Sequence, residues 1–112
     1  MTLKSTASVP TENASRYLQQ LCKHWSHNLV VEFTPEAGTV TFPRDARGAD
    51  WPADGHLRLA AFADHLDCTI DAAVPDQLER LKDVVASHLD RFAFREAPLA
   101  FDWKNAAEAS AG

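Results

Sequence analysis

Three of the chain's five histidines, His24, His27 and His88, are the residues with most chemistry to offer. Residues three and four apart return to the same side of a helix, so Gln20, His24 and His27 share one flank of a helical segment. His88 falls within a second apolar helical stripe, where a polar ring must find a hydrogen-bond partner or cost stability. If the two helices lie side by side, His88 approaches His24, and three imidazoles with an open position suit Zn or Fe(II). Cys22 sits on the opposite flank and is a poor fourth ligand. The competing reading makes His24 and His27 solvated or boundary residues and His88 a neutral buried ring, bonded to a carbonyl or to Tyr17. It is favoured because paired cysteines and a His-Glu-x-x-His motif are both absent.

Arg91 and Arg95 bracket Phe92, Ala93 and Phe94 near the end of the second helical segment. There a cation stabilises the helix dipole, while the alternative use of a guanidinium fork is to clamp a carboxylate or phosphate. Catalysis finds little support. Ser15, Ser26 and Ser87 have no nucleophile-elbow context, and Asp67 and Asp71, although on one strand face, are what a solvated sheet surface carries. Cys22 and Cys68 read as small buried hydrophobes with free thiols. The net charge of −5 argues against a phosphate-backbone partner, because counterion release needs a clustered positive surface.

These residues are positioned by elements legible from periodicity. Residues 6–9 alternate as a short strand that Pro10 ends, since proline lacks the amide a continuing strand needs. Ala14, Tyr17, Leu18, Leu21, Cys22 and Trp25 form a helical stripe, with Asn13 as N-cap and a stop near His27 and Asn28. Leu29, Val31 and Phe33 alternate with Val30, Glu32 and Thr34; Pro35 and Gly38 then mark a turn, and residues 39–42 return. Residues 44–55, rich in Asp, Arg, Gly and Pro, read as a mobile surface loop carrying Trp51.

A second hairpin turns near residues 63–65, with Leu57, Leu59, Ala61, Leu66, Cys68 and Ile70 on its apolar side. Pro75 opens a long helix whose stripe is Leu78, Leu81, Val85, His88, Leu89 and Phe92. Leu99, Phe101 and Trp103 alternate as an edge strand that folds back on the domain or meets a second copy, and Tyr17, Trp25, Phe92 and Phe94 read as core packing. The sheet then has one apolar face, on which both helices pack. The expected fold class is α+β, a two-layer sandwich of order β-α-β-β-β-β-α with a C-terminal edge strand. The domain is expected to span residues 1–104 and a disordered tail residues 105–112. A chain of 112 residues can bury roughly 65% of its unfolded surface, enough for one core.

The runs Cys22-Lys23-His24-Trp25-Ser26-His27 and His88-Leu89-Asp90-Arg91-Phe92-Ala93-Phe94-Arg95-Glu96, followed by Phe101-Asp102-Trp103, resemble the bacterial family known as domain of unknown function 2218. The resemblance runs from about Thr6 to Trp103. It implies an element order similar to the TATA-binding-protein-like fold, and an association with flavin-dependent siderophore-interacting proteins, hence with iron handling. The loop over residues 44–55 is longer than the connection expected of that family. Fold does not carry function.

The leading functional reading is a non-catalytic ligand-binding or accessory module, linked through the resemblance to iron or siderophore metabolism. The ligand-binding candidates are His24, His27, His88, Arg91 and Arg95, of which the histidines are also the metal candidates. The alternatives are a small metal-dependent enzyme using the histidines, with Zn or Fe, and a protein-interaction domain. The expected partners are a siderophore-interacting flavoprotein or a second copy through the C-terminal strand, with neither nucleic acid nor membrane. No apolar run approaches the about 20 residues of a membrane span, and residues 1–10 lack a signal-peptide core, so the expected compartment is the cytoplasm.

Overall fold

In the computed structural model, which describes residues 3–45, 50–93, 95–96 and 99–107, the alternating segments pair into one antiparallel sheet. The elements are β1 (Leu3–Pro10), α1 (Ala14–Trp25), β2 (Val30–Phe33), β3 (Ala37–Phe42), β4 (Gly55–Ala61), β5 (His65–Ala72), α2 (Pro75–Phe92) and β6 (Lys104–Ala107). The strand order is β2-β3-β4-β5-β1-β6, and every neighbouring pair is antiparallel. The expected α+β sandwich is therefore the fold.

Period-2 alternation decides which face is covered. Ala7 and Val9 of β1, Val40 and Phe42 of β3, Leu57 and Leu59 of β4, and Leu66, Cys68 and Ile70 of β5 are all buried on one face. Both helical stripes bury there: Tyr17, Leu18, Leu21, Cys22 and Trp25 of α1, and Leu78, Leu81, Val85 and Leu89 of α2. Helix α1 lies over β2 to β5, α2 lies over β1, β4 and β5, and the two helices touch each other. Burying each large aliphatic side chain contributes roughly 1.5–3 kcal/mol, which makes this layer the main source of stability. Among the described residues no helix is long and apolar enough to cross a membrane.

Several details differ from the sequence expectation for physical reasons. Gly38 is not in the turn but inside β3, opposite Phe33 and Leu59. A Cβ there would meet the Cys22 sulfur at 2.8 Å, so this glycine lets α1 approach the sheet closely. The turn is closed instead by Thr34, whose Oγ1 accepts the backbone N–H groups of Glu36 and Ala37, both at 3.2 Å. Strand β1 extends through Pro10, which stands at its last paired position opposite His65. Asn13 occupies the N-cap position of α1 without a side-chain capping bond.

The edge strand is also displaced. It is formed by Lys104–Ala107 beside β1, taking in residues assigned above to the tail, while Leu99, Phe101 and Trp103 precede it. Leu99 is buried, and Phe101 and Trp103 stack on each other (ring centres 5.7 Å apart) and pack against the core, folding this segment back on the domain.

The loop expected over residues 44–55 is tied down at its described ends. Trp51 donates its N–H to the Arg44 carbonyl at 2.9 Å, and the Arg44 N–H reaches Asp54 Oδ1 at 2.9 Å. Gln77, buried at the start of α2, donates from Nε2 to the Ala53 carbonyl and accepts from the Ala73 N–H, each at 2.8 Å. Residues 46–49 lie outside the described residues, as does Phe94, one of the expected core aromatics.

Candidate functional site

The stripe that buries Tyr17 and Leu21 leaves Arg16, Gln20 and His24, four residues apart in turn, along the exposed flank of α1 that faces α2. Helix α2 answers with His88 and Phe92, again one turn apart. Beyond Phe92 the helix closes with the Ala93 N–H on the Leu89 carbonyl, and a turn with the Glu96 N–H on the Ala93 carbonyl follows, both at 2.8 Å. That turn swings Arg95 and Glu96 back toward the start of α1. Between the helices lies a cleft of about 230 Å³ lined by Arg16, Tyr17, Gln20, Phe92 and Arg95.

Glu96 stands behind this cleft, bonded to its lining residue Tyr17. Its carboxylate accepts the Thr11 hydroxyl at 2.9 and 3.2 Å, the Asn13 amide at 3.1 Å and the Tyr17 hydroxyl. The Tyr17 bond, then the Asn13 and Thr11 bonds, hold the Glu96 carboxyl below its usual range. The same bond to Glu96, with burial, holds the Tyr17 phenol above its own. The described residues that line the cleft bring two guanidiniums, an amide and two aromatic rings.

The histidines divide. His24 and His88 come together with ring centres 5.5 Å apart, and His24 stands edge-on to Phe92, which lines the cleft. His88, half-buried rather than in the core, donates from Nδ1 to the Val84 carbonyl at 2.7 Å, and its ring packs 5.1 Å from that of Trp25. His27 does not join them. Helix α1 stops at Trp25, and His27 lies exposed in the following turn. Among the described residues no group of three or more His, Cys, Asp or Glu could hold a metal ion, and Cys22 is buried against the sheet.

The two arginines divide as well. Arg91 is exposed in the last turn of α2, where it complements the helix dipole, and is not among the residues that line the cleft. Arg95 lies past the helix end and lines it with Arg16. Arg16 was invisible as a site residue in the sequence because a lone arginine on a helix flank has no motif, although its spacing to Gln20 and His24 is the signal that finds it.

The open sheet face carries a further depression, about 380 Å³, lined by Lys4, Thr6, Arg58, Leu59, Ala60, Asp67 and Thr69. Arg58 of β4 pairs with Asp71 of β5 at 3.1 Å, and within β5 His65 Nε2 lies 3.5 Å from Asp67. Asp67 and Asp71, expected on a solvated face, are both half-buried there, Asp71 beside Arg58.

A family model described as "Uncharacterized protein conserved in bacteria (DUF2218)" matches residues 6–104. The NMR structure of PA4090 from Pseudomonas aeruginosa is 35% identical to this chain, covers 91% of it and 95% of its own length, and superimposes with a TM-score of 0.71. No curated protein matches the chain.

Proposed function

Since this chain belongs to the bacterial DUF2218 family, whose description carries no activity, we propose its function from the α1–α2 cleft: a non-catalytic binding module for a small carboxylate- or phosphate-bearing molecule. The observation that carries this reading is the convergence of Arg16, Gln20 and Arg95 on one concavity with Tyr17 and Phe92 as its apolar walls. Guanidinium forks match the oxygens of carboxylate and phosphate, and aromatic walls lower the local dielectric around such a pair. At about 230 Å³ the cleft is smaller than most drug-sized sites, which suits a compact anion rather than a nucleotide.

Two-dimensional NMR titration tests this with citrate and, separately, inorganic phosphate. The amide and guanidinium signals of Arg16, Gln20 and Arg95 should shift together and saturate, and Arg16→Ala or Arg95→Ala should weaken binding about tenfold, the loss of one charge-assisted contact. Shifts scattered over the surface, or equal affinity in the Arg16→Ala/Arg95→Ala double variant, would refute the assignment. The same ligand class fits an accessory role in iron or siderophore handling, because hard cations are carried by oxygen donors. Co-purification with a siderophore-interacting flavoprotein, lost on adding excess citrate, is the outcome that role requires.

A further inference from the structure

The chain brings two imidazoles together, not three, beside Phe92 of the cleft between α1 and α2. We propose that the cleft and the His24–His88 pair form one composite site for a divalent transition-metal ion already chelated by a small carboxylate ligand. The chain supplies two ring nitrogens and the ligand fills the remaining positions. This rests on the anion-binding reading of the cleft.

Four features of the pair support it. A metal–nitrogen bond of about 2.1 Å places two rings on one tetrahedral ion with centres about 5 Å apart. His24 and His88 stand at 5.5 Å with their planes tilted by 42°. His88 spends its Nδ1–H on the Val84 carbonyl, which fixes the tautomer and leaves the Nε2 lone pair for a ligand, the usual arrangement of a metal-binding histidine. The His24 side chain is exposed, so its ring is open to an incoming ion. Trp25 packs on His88 and Phe92 stands edge-on to His24 with ring centres 5.7 Å apart, giving the pair an apolar backing.

Two imidazoles alone leave half of a tetrahedral shell empty and hold an ion weakly. A carboxylate ligand anchored by Arg16, Gln20 and Arg95 brings its own metal-binding oxygens to the pair at high effective concentration, so complex and cleft reinforce each other. Imidazole nitrogen selects Zn, Ni, Cu or Fe over Mg or Ca, and this sets the metal class. The two halves are joined physically: Phe92 lines the cleft and touches His24, and Gln20 lies one turn before His24 on the same flank.

The test is calorimetric titration of the full chain with citrate, with Zn²⁺, and with preformed Zn²⁺–citrate, together with ¹⁵N imidazole spectra. The preformed complex should bind at least tenfold tighter than citrate, with the Nε2 signals of His24 and His88 moving on coordination. His24→Ala, an exposed position that leaves the fold intact, should abolish that gain while citrate alone binds as before; His88→Gln should do the same, and His27→Ala should change nothing. Citrate binding that metal does not strengthen, or a gain that survives His24→Ala or falls equally in His27→Ala, overturns the composite site and leaves the anion cleft standing. Failure of both citrate and its zinc complex to bind refutes the two together.

Discussion

Replacing Glu96 by Gln keeps the side chain's shape and removes the charge that draws three donors from Thr11, Asn13 and Tyr17 onto one carboxylate. Charge-assisted hydrogen bonds contribute about 1.5–3 kcal/mol each when shielded, but Glu96 is exposed and water can replace much of what is lost. The buried partner is Tyr17, and Gln can still accept from one or two of the donors, so the expected cost is about 1–2 kcal/mol near neutral pH. That corresponds to a fall of about 3–8 °C in Tm for a domain of this size.

The pH dependence is the sharper readout. Glu96 titrates below its ordinary value of 4.5 in the folded chain, so its stabilisation is complete above 4.5 and is lost as pH falls through the folded value. Tyr17 titrates above its ordinary 10.0, so its share is complete below 10.0 and is lost as pH rises through the folded value. Urea denaturation followed by tryptophan fluorescence, for the native chain and Glu96→Gln, should therefore show a stability gap that is flat between those limits and closes in acid. A gap of the same size at pH 7 and pH 3, or none at pH 7, refutes the latch. A cycle with Tyr17→Phe should show the two substitutions to be strongly non-additive.

The backbone and thiols offer two further checks. Gly55→Ala should destabilise the fold by about 1–3 kcal/mol in the same denaturation assay, because the new methyl would stand 2.4 Å from the Leu81 side chain at the start of β4; an unchanged midpoint would show that α2 yields easily there. Burial pushes the Cys22 thiol up to about 11 and the Cys68 thiol up to about 12, so both should resist a thiol-exchange reagent at pH 8 until denaturant is added, and prompt labelling of the native chain would contradict their burial.

The elements were legible because each repeats its signal locally. Tyr17, Leu18, Leu21 and Trp25 declare one helix face within twelve residues, and Leu66, Cys68 and Ile70 one strand face within five. The helix-on-sheet arrangement then follows, since each face must find cover. Where the reading slipped, the deciding partner was distant in the chain or the local signal had two meanings. Gly38 carries a turn signal, but the sulfur of Cys22 on α1 is what requires a glycine there. Gln77 lies outside the apolar stripe read for α2, yet it is buried, its amide serving the Ala53 carbonyl and the Ala73 N–H.

The candidate site is the extreme of this behaviour. Thr11 and Glu96 are 85 positions apart, and no periodicity links them. Their bond fixes how the turn after α2 returns to α1, and that turn sets Arg95 beside Arg16 at the cleft. The histidine pair shows the converse limit: spacing along α1 put His24 and His27 on one flank, but the helix ends at Trp25 and His27 lies exposed in the turn after it. A site built at a seam between the two ends of a chain is therefore read from its closing contacts. If Glu96→Gln loosens the seam, the arginine pair should separate and anion affinity should fall with stability, although Glu96 is not among the residues lining the cleft. An affinity unchanged in a measurably destabilised Glu96→Gln would show that the latch holds the fold without positioning the site.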